Sequence, residues 1–520
     1  MKFDRAAGIL LHPTSLPGPY GIGDIGPQAH QWLEFLAKSG CGLWQVLPLG
    51  PTGYGDSPYQ SFSAFAGNYY LISPEALLEA NLLHSNDLVE SQDFPAERVD
   101  FGAVIPWKLG VLDRAFIRFE RMASVELHAE MAEFEESQRG WLEDFALFMA
   151  LKEAHGGGPW VDWPAPLRAR EPGALDQARR DLDVAISRQK FRQFIFFRQW
   201  AELREHASVL NIKIIGDIPI FVAHDSAEVW ARPELFYLNP TGNPQFVAGV
   251  PPDYFSETGQ LWGNPLYRWE RHAQEEYTWW HERLRAVLQL VDIVRLDHFR
   301  GFAGYWEVPA GEKTAVKGRW VPGPGLGFFL SVKEALGDLP IIAEDLGEIT
   351  QDVIDMREDL NLPGMKIIQF AFYGDPSEPF LPHNHVANSV VYTGTHDNDT
   401  SRGWYERVPE TERDFYRRYL GRDGSNVAWD LIRAAWSSVA VFAIAPMQDF
   451  LDLGNQARMN YPGNPSGNWT WRLSGTALSN SLRSRIKEFN FLYDRLNPEA
   501  GDRDGQKVSE ENPPDLKLLR

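Results

Sequence analysis

Eight short apolar runs, each long enough for one strand, recur along the chain and predict a parallel β-sheet. They cover residues 7–16, 41–49, 212–222, 291–302, 339–348, 365–372, 389–399 and 438–450. A parallel strand that is buried on both faces has such a continuous apolar run. Between several runs the apolar residues recur at helical spacing, as at Tyr277, Trp280, Leu284, Val287 and Leu288. Strands that alternate with helices form parallel βαβ units, and eight units favour an α/β fold of the (β/α)8 TIM-barrel class. Periodicity alone does not establish that the sheet closes.

Two long stretches break the even spacing of these runs. In the first, apolar residues recur at steps of three and four, at Leu109, Leu112, Phe116, Phe119, Trp141, Phe145 and Phe148. We predict a helical insertion plus the preceding barrel helix over about 75–205. The second stretch, 223–275, is rich in Pro, Gly, Asn and aromatic residues, so we expect a loop insertion on the active-site face. Residues 1–500 then form one barrel domain, and 501–520 form a polar tail.

Three of the apolar runs end in acidic residues, which are Asp297, Glu344 and Asp397. A carboxylate just past a buried strand gains nothing from burial. Three of them in chain order predict one site that is built from several strand ends, as in the active site of a (β/α)8 barrel. A single Asp in this position is more often a helix N-cap, so the prediction depends on the whole set.

The spacing of these carboxylates favours cleavage of a glycosidic bond. That reaction needs a proton donor for the leaving oxygen and a nucleophile or base at the anomeric carbon. Asp297 and Glu344 follow consecutive predicted strands, which lie about 5 Å apart, so the pair favours a retaining enzyme. Arg295 points to the same strand face as Asp297, and its charge would keep Asp297 ionised. Glu344 must begin protonated, so we expect its pKa to be raised.

Composition narrows the possible partners. The 520 residues carry a net charge of −21, which argues against duplex nucleic acid and anionic membranes as partners. Cys41 is the single cysteine, which fits a reducing compartment, and the first residues lack the features of a signal peptide. We therefore expect a cytoplasmic protein without a membrane segment. The sequence gives no indication of the oligomeric state.

Aromatic residues supply a second chemical indication. The chain has 19 Trp, 17 Tyr and 31 Phe, and many lie beside Gly, Pro, Asn and Asp in the segments 57–70 and 460–472. Sugar rings stack their CH faces on aromatic rings and exchange hydrogen bonds with nearby polar groups. A groove of loop aromatics therefore suits an oligosaccharide. The alternative is that a large protein buries many aromatics in its core.

Several motifs resemble those of known enzymes. Arg-x-Asp-His at 295–298, Ala-Glu-Asp-Leu-Gly at 343–347 and Thr-His-Asp-Asn at 395–398 resemble the conserved regions of the α-amylase clan. The first conserved region departs from the α-amylase family proper, because 216–230 lacks its Asn-His pair. Together with 55–68 and 454–472, that segment resembles the 4-α-glucanotransferases of glycoside hydrolase family 77, also called amylomaltases or disproportionating enzymes. The similarity runs from residues 9–24 to about 495, with no segment like the C-terminal β-sandwich domain of α-amylases.

The resemblance implies a role for each matching position. Asp297 matches the nucleophile that forms a covalent glucosyl-enzyme, Glu344 the general acid/base, and Asp397 a third carboxylate that binds the reacting sugar. Contacts with that sugar are implied for Tyr59, Asp217, Arg295 and His396. The matching residues of the loop that covers the glucan are Asp253, Ser256 and Trp262. Weaker matches are Phe370 and Asn464.

The implied substrates are maltooligosaccharides and α-1,4-glucans, with no cofactor and no metal. His298 and His396 are possible metal ligands, but no His, Asp and Glu cluster has the spacing of a metal site. Two other functions remain open at this stage. One is a retaining hydrolase of the same clan, because water and sugar compete for one intermediate. The other is a glucan-binding protein with an inactive barrel, against which the three intact carboxylates argue.

Overall fold

A computed structural model describes residues 3–88, 93–252, 256–464 and 466–497 of the chain. Its strands are β1 (Ala6–Leu10), β2 (Leu43–Gln45), β3 (Lys213–Ile218), β4 (Phe246–Val250), β5 (Gln260–Pro265), β6 (Ile293–Leu296), β7 (Gly304–Pro309), β8 (Arg319–Pro322), β9 (Ile341–Ala343), β10 (Gly364–Ile367), β11 (Ser389–Tyr392) and β12 (Phe442–Pro446). Eight of them close into a barrel in the order β1-β12-β11-β10-β9-β6-β3-β2, and every neighbouring pair is parallel. The TIM-barrel prediction is confirmed, and each predicted apolar run overlaps one barrel strand.

The barrel strands are buried because helices cover their outer side. The α-helices are α1 (Pro27–Lys38), α2 (Pro74–Glu79), α3 (Phe101–Met122), α4 (Val125–Ser137), α5 (Arg139–Ala154), α6 (Ala165–Arg168), α7 (Pro172–Asp181), α8 (Asp183–Val209), α9 (Ala227–Ala231), α10 (Trp269–Gln274), α11 (Thr278–Leu290), α12 (Leu326–Leu336), α13 (Gln351–Asp359), α14 (Ser401–Arg407), α15 (Glu410–Leu420), α16 (Val427–Ser437), α17 (Met447–Phe450) and α18 (Asn480–Leu492). Helices α2 to α8 lie between β2 and β3. In α11, Trp280 and Leu284 recur at a spacing of four and are buried against the barrel. The link between β10 and β11 has two short 3-10 helices, Ile368–Ala371 and Pro382–Asn384, in place of an α-helix.

A small antiparallel sheet was not predicted from the sequence. Its order is β5-β4-β7-β8, and its strands come from the connections that follow β3 and β6. We expected 223–275 to be a loop insertion, and this connection contains β4 and β5. These short strands carry Gly and Pro, whose presence disguises strand patterns. The sheet lies beyond the carboxyl ends of β3 and β6, where a barrel places its active site.

After β12, the described residues 447–464 and 466–497 contain no named strand, and their last helix is α18. A C-terminal β-sandwich is therefore absent from these described residues. The tail predicted at 501–520 lies outside the described residues. In the described part of the chain, no helix combines the length and apolar character needed to cross a membrane.

Candidate active site

The predicted carboxylates meet at the carboxyl ends of neighbouring barrel strands. Strand β6 pairs with β9 so that Leu296 lies opposite Ala343, and Asp297 and Glu344 are the next residues on each strand. On the other side of β6, Asp217 of β3 lies opposite Arg295. Main-chain hydrogen bonds continue past the ladder, since Asp297 N–H donates to the Ile218 carbonyl and Glu344 N–H donates to the Leu296 carbonyl. The barrel register therefore fixes both carboxylates.

Arg295 joins two of these acidic residues. Its Nη1 donates to Oδ2 of Asp217 at 2.5 Å and to Oδ1 of Asp297 at 3.0 Å. Burial lowers the pKa of Arg295, but Asp217 and Asp297 outweigh this effect and leave it well above its usual value. The guanidinium therefore stays charged at the centre of the site.

The pKa values of the two carboxyls bound by Arg295 are both raised. Burial is the largest cause, and it raises the pKa of Asp217 to about 7 although Arg295 opposes it. Burial also raises the pKa of Asp297, with Asp397 adding to the rise and Arg295 opposing it. The predicted effect of Arg295 on Asp297 is present, but it does not offset the loss of water around the carboxyl.

Glu344 is held by two main-chain N–H groups. His298 N–H donates to Oε2 at 2.7 Å and Leu346 N–H donates to Oε1 at 3.2 Å. Burial nevertheless raises the pKa of Glu344 well above its usual value, and the charge of Asp297 raises it further. A carboxyl with a raised pKa can hold a proton near neutral pH, which a general acid requires.

Asp397 is placed by residues from the segment after β12. Asn460 Nδ2 donates to its Oδ1 at 2.6 Å, and Arg458 Nη2 donates to its main-chain carbonyl at 2.6 Å. His396 Nε2 lies 3.4 Å from its Oδ2. The Asp397 side chain keeps 46% of its surface exposed, so it is open to a ligand. Sequence reasoning included the segment 454–472 as a resemblance but missed Asn460 and Arg458.

Aromatic rings line the site on the side of Asp397. Tyr59 donates from its hydroxyl to Asp217 Oδ2 at 2.7 Å and stacks on His396 with ring centroids 5.2 Å apart. Trp469 packs against both rings, at 5.8 Å from Tyr59 and 5.9 Å from His396. Burial lowers the pKa of His12 to about 3, and the nearby His396 contributes to the shift. Sequence reasoning placed the aromatics of 460–472 in a sugar-binding groove without singling out Trp469, and it did not consider His12.

Trp262 and His298 pack against each other beside Glu344. Their ring centroids are 4.8 Å apart at an interplanar angle of 82°, and Trp262 also approaches Phe221. Burial lowers the pKa of His298 to about 3, so its imidazole is neutral. Because His298 N–H binds Glu344, this side of the site is the one next to the acid/base candidate.

Buried polar atoms at the site remain unpaired in the described part of the chain. They are Asp217 Oδ1, His298 Nε2 and His396 Nδ1. Buried polar groups in proteins nearly always have a partner, and unsatisfied ones need an explanation. A polyhydroxylated ligand would supply both donors and acceptors for these atoms.

Three of the remaining predicted residues lie outside the barrel strands. Ser256 Oγ donates to the Gly259 carbonyl at 2.8 Å, Phe370 packs edge-on against Phe380 at 5.5 Å, and the Asn464 carbonyl accepts from Asn468 Nδ2 at 2.9 Å. None of these three contacts includes a predicted catalytic carboxylate. Asp253 lies outside the described residues. Among the residues that the structure describes, no group of three or more His, Cys, Asp or Glu could hold a metal ion.

The comparisons with known proteins all point to the same enzyme family. Residues 11–478 match the sequence profile of a family described as 4-alpha-glucanotransferase. The chain is similar to the 4-alpha-glucanotransferase of Thermus thermophilus, with 53% identity over 95% of this chain and 100% of that protein. It is also similar to the 4-alpha-glucanotransferase of a Synechocystis species, with 50% identity over 94% of this chain and 98% of that protein. A solved amylomaltase from Streptococcus agalactiae, in complex with acarbose, superposes with a TM-score of 0.92 and 39% identity, covering 95% of this chain and 100% of that one.

Proposed function

The chain belongs to the 4-alpha-glucanotransferase family, and from this premise we propose that it transfers segments of α-1,4-glucans. The enzyme cuts an α-1,4 bond of a donor glucan and passes the non-reducing part to the 4-hydroxyl of glucose or another glucan. Maltooligosaccharides and longer α-1,4-glucans serve as donors. The pairing of β6 with β9 carries the proposal, because it sets Asp297 and Glu344 side by side at the ends of two strands.

The proposed reaction is a retaining double displacement. Asp297 attacks the anomeric carbon while Glu344 gives its proton to the glycosidic oxygen, so the carbon–oxygen bond breaks and the leaving glucan departs as an alcohol. The transferred segment is then an ester of Asp297. The 4-hydroxyl of the acceptor attacks the same carbon, Glu344 takes up the hydroxyl proton, and the Asp297 carboxylate is released.

The other site residues bind and orient the reacting sugar in this proposal. Asp397 accepts hydrogen bonds from sugar hydroxyls while Asn460 holds its carboxylate in place. The unpaired Asp217 Oδ1 and His396 Nδ1 contact the same sugar. Tyr59 and Arg295 also contact this sugar, and both hold Asp217 in place. Residues proposed to contact glucan outside this sugar are Asp253, Ser256, Trp262, Phe370 and Asn464.

We also propose how the chain is divided into domains and where in the cell the enzyme works. One catalytic barrel spans 1–500, with a helical insertion at about 75–205, a glucan-covering insertion at about 223–275, and a polar tail at 501–520. The single Cys41 supports a reducing, cytoplasmic location for the enzyme.

Incubation with maltotriose tests transfer against hydrolysis. Transfer yields glucose and a ladder of longer maltooligosaccharides while the number of reducing ends stays nearly constant, because each event breaks one bond and makes one. The Asp297→Asn variant serves as the control and should lose several powers of ten in turnover while it still binds long glucans. A steady rise in reducing ends without longer products would show a hydrolase instead.

A further inference from the structure

Asp397 carries a half-exposed carboxylate that has few partners of its own. Among the described residues, its carboxylate oxygens contact Asn460 Nδ2 at 2.6 Å and His396 Nε2 at 3.4 Å. A side chain with this much freedom loses rotational entropy when it binds a sugar, unless the protein fixes it beforehand. The position of Asp397 therefore depends on what fixes its main chain and what fixes Asn460.

One guanidinium, that of Arg458, contacts the main chain of both residues. Its Nη2 donates to the Asp397 carbonyl at 2.6 Å, and its Nε donates to the Asn460 carbonyl at 2.7 Å. The first bond holds the residue that carries the carboxylate, and the second holds the residue whose amide binds Oδ1 of that carboxylate. The main-chain N–H of Asn460 also donates to the His396 carbonyl at 3.2 Å. Arg458 thus joins the segment after β12 to the loop after β11.

Arg458 is itself held in a fixed orientation. Its Nη1 donates to Oδ1 of Asp399, the ring centroid of Tyr461 lies 4.3 Å from the guanidinium carbon, and the side chain is only 11% exposed. The Asp399 main chain is fixed in turn, because its carbonyl accepts from Gln369 Nε2 at 2.9 Å. Three directed bonds from one planar group define an orientation as well as a position, which the ammonium of a lysine would not reproduce.

Arg407 provides a natural comparison for Arg458. It is the last residue of α14, and its Nη1 donates to Oδ1 and Oδ2 of the same Asp399 carboxylate at 3.0 and 3.1 Å. Its side chain is mostly exposed, and in the described part of the chain neither Asp397 nor Asn460 is among its side-chain partners. Arg407 therefore shares the ion pair with Asp399 but lacks the two contacts that reach Asp397.

We propose that Arg458 is a positioning residue for Asp397, which sets that carboxylate in place to bind the reacting sugar in the transition state. The proposal rests on the glucanotransferase function above and adds a residue to its machinery. Arg458 acts through Asp397 and Asn460 and not on the sugar. Because the same sugar reacts in both steps, loss of Arg458 slows formation of the glycosyl-enzyme and its transfer alike. The rest of the glucan binds elsewhere, so the loss falls on kcat more than on KM.

Kinetics of two Arg458 variants on maltotriose test this role. In Arg458→Met we expect kcat to fall about 100-fold, with KM within about three-fold of the wild type, since a small misplacement of a positioning group has effects of this size. Arg458→Lys keeps the charge and part of the contacts, so it should recover about ten-fold of this loss. The matched control is Arg407→Met, whose kcat should stay within about two-fold of the wild type because exposed ion pairs contribute little. An unchanged kcat in both Arg458 variants would overturn the proposal.

A double-mutant cycle with Asp397→Asn separates positioning from general support of the fold. Fluoride release from α-maltosyl fluoride is the readout, because an activated donor keeps slow variants measurable. In the Asp397→Asn background, Arg458→Met should reduce the rate by less than about three-fold, since the carboxylate that it positions is already gone. A further loss of about 100-fold in that background would mean that Arg458 acts independently of Asp397, which would overturn the proposal. If Arg458→Met does not fold, the cycle is measured with Arg458→Lys and interpreted in the same way.

Crystal structures of the wild type and Arg458→Lys test the inference without any activity. Failure of the wild type to transfer sugar would contradict the proposed function, and the structures would still show whether Arg458 positions Asp397. In the variant, Asp397 Oδ1 and Asn460 Nδ2 should separate beyond about 3.5 Å, or the carboxylate should adopt more than one conformer. An Asp397 carboxylate that keeps one conformer and its hydrogen bond to Asn460 would reject the positioning role.

Discussion

Arg295 donates from a single nitrogen to both Asp217 and Asp297, and this shared contact organises the centre of the site. The two carboxyls compete for one positive charge in a place with little water. Their pKa values are raised because burial outweighs the attraction of the guanidinium. Carboxyl groups with raised pKa values are typical of active sites, where a reactive arrangement of buried charges costs the protein some stability.

Glu344→Gln should separate the two steps of the proposed reaction. The amide cannot donate a proton, so turnover of maltotriose should fall by several powers of ten. A glucosyl fluoride has a leaving group that needs little protonation, so it should still react with Asp297. The second step lacks its base, and the covalent intermediate should accumulate. Mass spectrometry of the quenched variant should show added sugar mass on the peptide with Asp297. Equal rates for both donors without an adduct would mean that Glu344 has another role.

Asp217→Asn should change how stability depends on pH. The ordinary Asp pKa is 3.8, and the folded value is about 7, so between these values the folded state binds the proton more tightly than the unfolded state. The stabilisation from this group is complete below about pH 4 and is lost as the pH rises through 7. The Asn variant lacks this titration. The free energy of unfolding of the wild type minus that of the variant should therefore fall between pH 4 and 7, by up to a few kcal/mol at about 1.4 kcal/mol per pKa unit.

Urea unfolding at pH 5, 6, 7 and 8 measures this difference. Comparing the two proteins at each pH cancels the titration of all other groups that the substitution leaves untouched. A difference that stays constant would show that Asp217 is ionised in the folded state throughout the range, and a difference that grows with pH would also contradict the raised pKa. Asp217→Asn should also be poorly active, because Asp217 contacts Arg295 and Tyr59.

At the scale of elements, the sequence located the barrel strands because each of them is buried on both faces. The buried run 291–302 contains β6, and the run 389–399 contains β11. The same logic could not find β7 and β8, since they form an antiparallel sheet with exposed positions and lack a continuous apolar run. Elements that are half exposed depend on partners that are distant in the chain.

The candidate site likewise combines residues that the sequence pattern predicts with residues that it does not. Asp297, Glu344 and Asp397 were predicted because each follows a recognisable strand, and the barrel brings strand ends together. Asn460 and Trp469 reach the site from the segment after the last strand, where no periodic pattern indicates the direction of the chain. Their contacts with Asp397 and His396 are tertiary, and spacing in the sequence contains no measure of such distances.

Gly8→Ala should test how tightly neighbouring barrel strands pack. A Cβ at Gly8 would lie 2.5 Å from Leu43 Cβ and 2.7 Å from the Leu43 carbonyl oxygen, so β1 and β2 must move apart. We expect a loss of about 1–3 kcal/mol in stability, as for other overpacked cores. The matched control is Gly140→Ala in α5, where a Cβ meets nothing within 4 Å and should add up to about 1 kcal/mol. Thermal unfolding of both variants gives the comparison, and equal shifts would contradict the packing argument.

At the scale of the whole molecule, the barrel closes between its first and last strands, and two arginines reinforce this closure. Strand β1 pairs with β12 from Ala6 opposite Phe442 to Leu10 opposite Pro446. Arg495, which is buried, donates to the carbonyls of Ala6, Trp436, Ser438, Ala440 and Val441. Arg5 donates to several of the same carbonyls. The two ends of the described chain are therefore tied to the same seam of the barrel.

Arg495→Met should lower the stability of the folded enzyme, whereas removal of residues 501–520 should leave it unchanged. The Met side chain keeps much of the buried volume but leaves five carbonyls with fewer donors, so we expect a loss of about 3 kcal/mol and a lower melting temperature. The segment 501–520 is polar and highly charged, so it has little apolar surface to contribute to a core. A chain that ends at residue 500 should melt at the wild-type temperature and keep its transferase activity on maltotriose. Melting curves and product ladders are compared for the wild type, Arg495→Met and the truncated chain. A truncated chain that is destabilised as much as Arg495→Met would show that the barrel domain extends past residue 500.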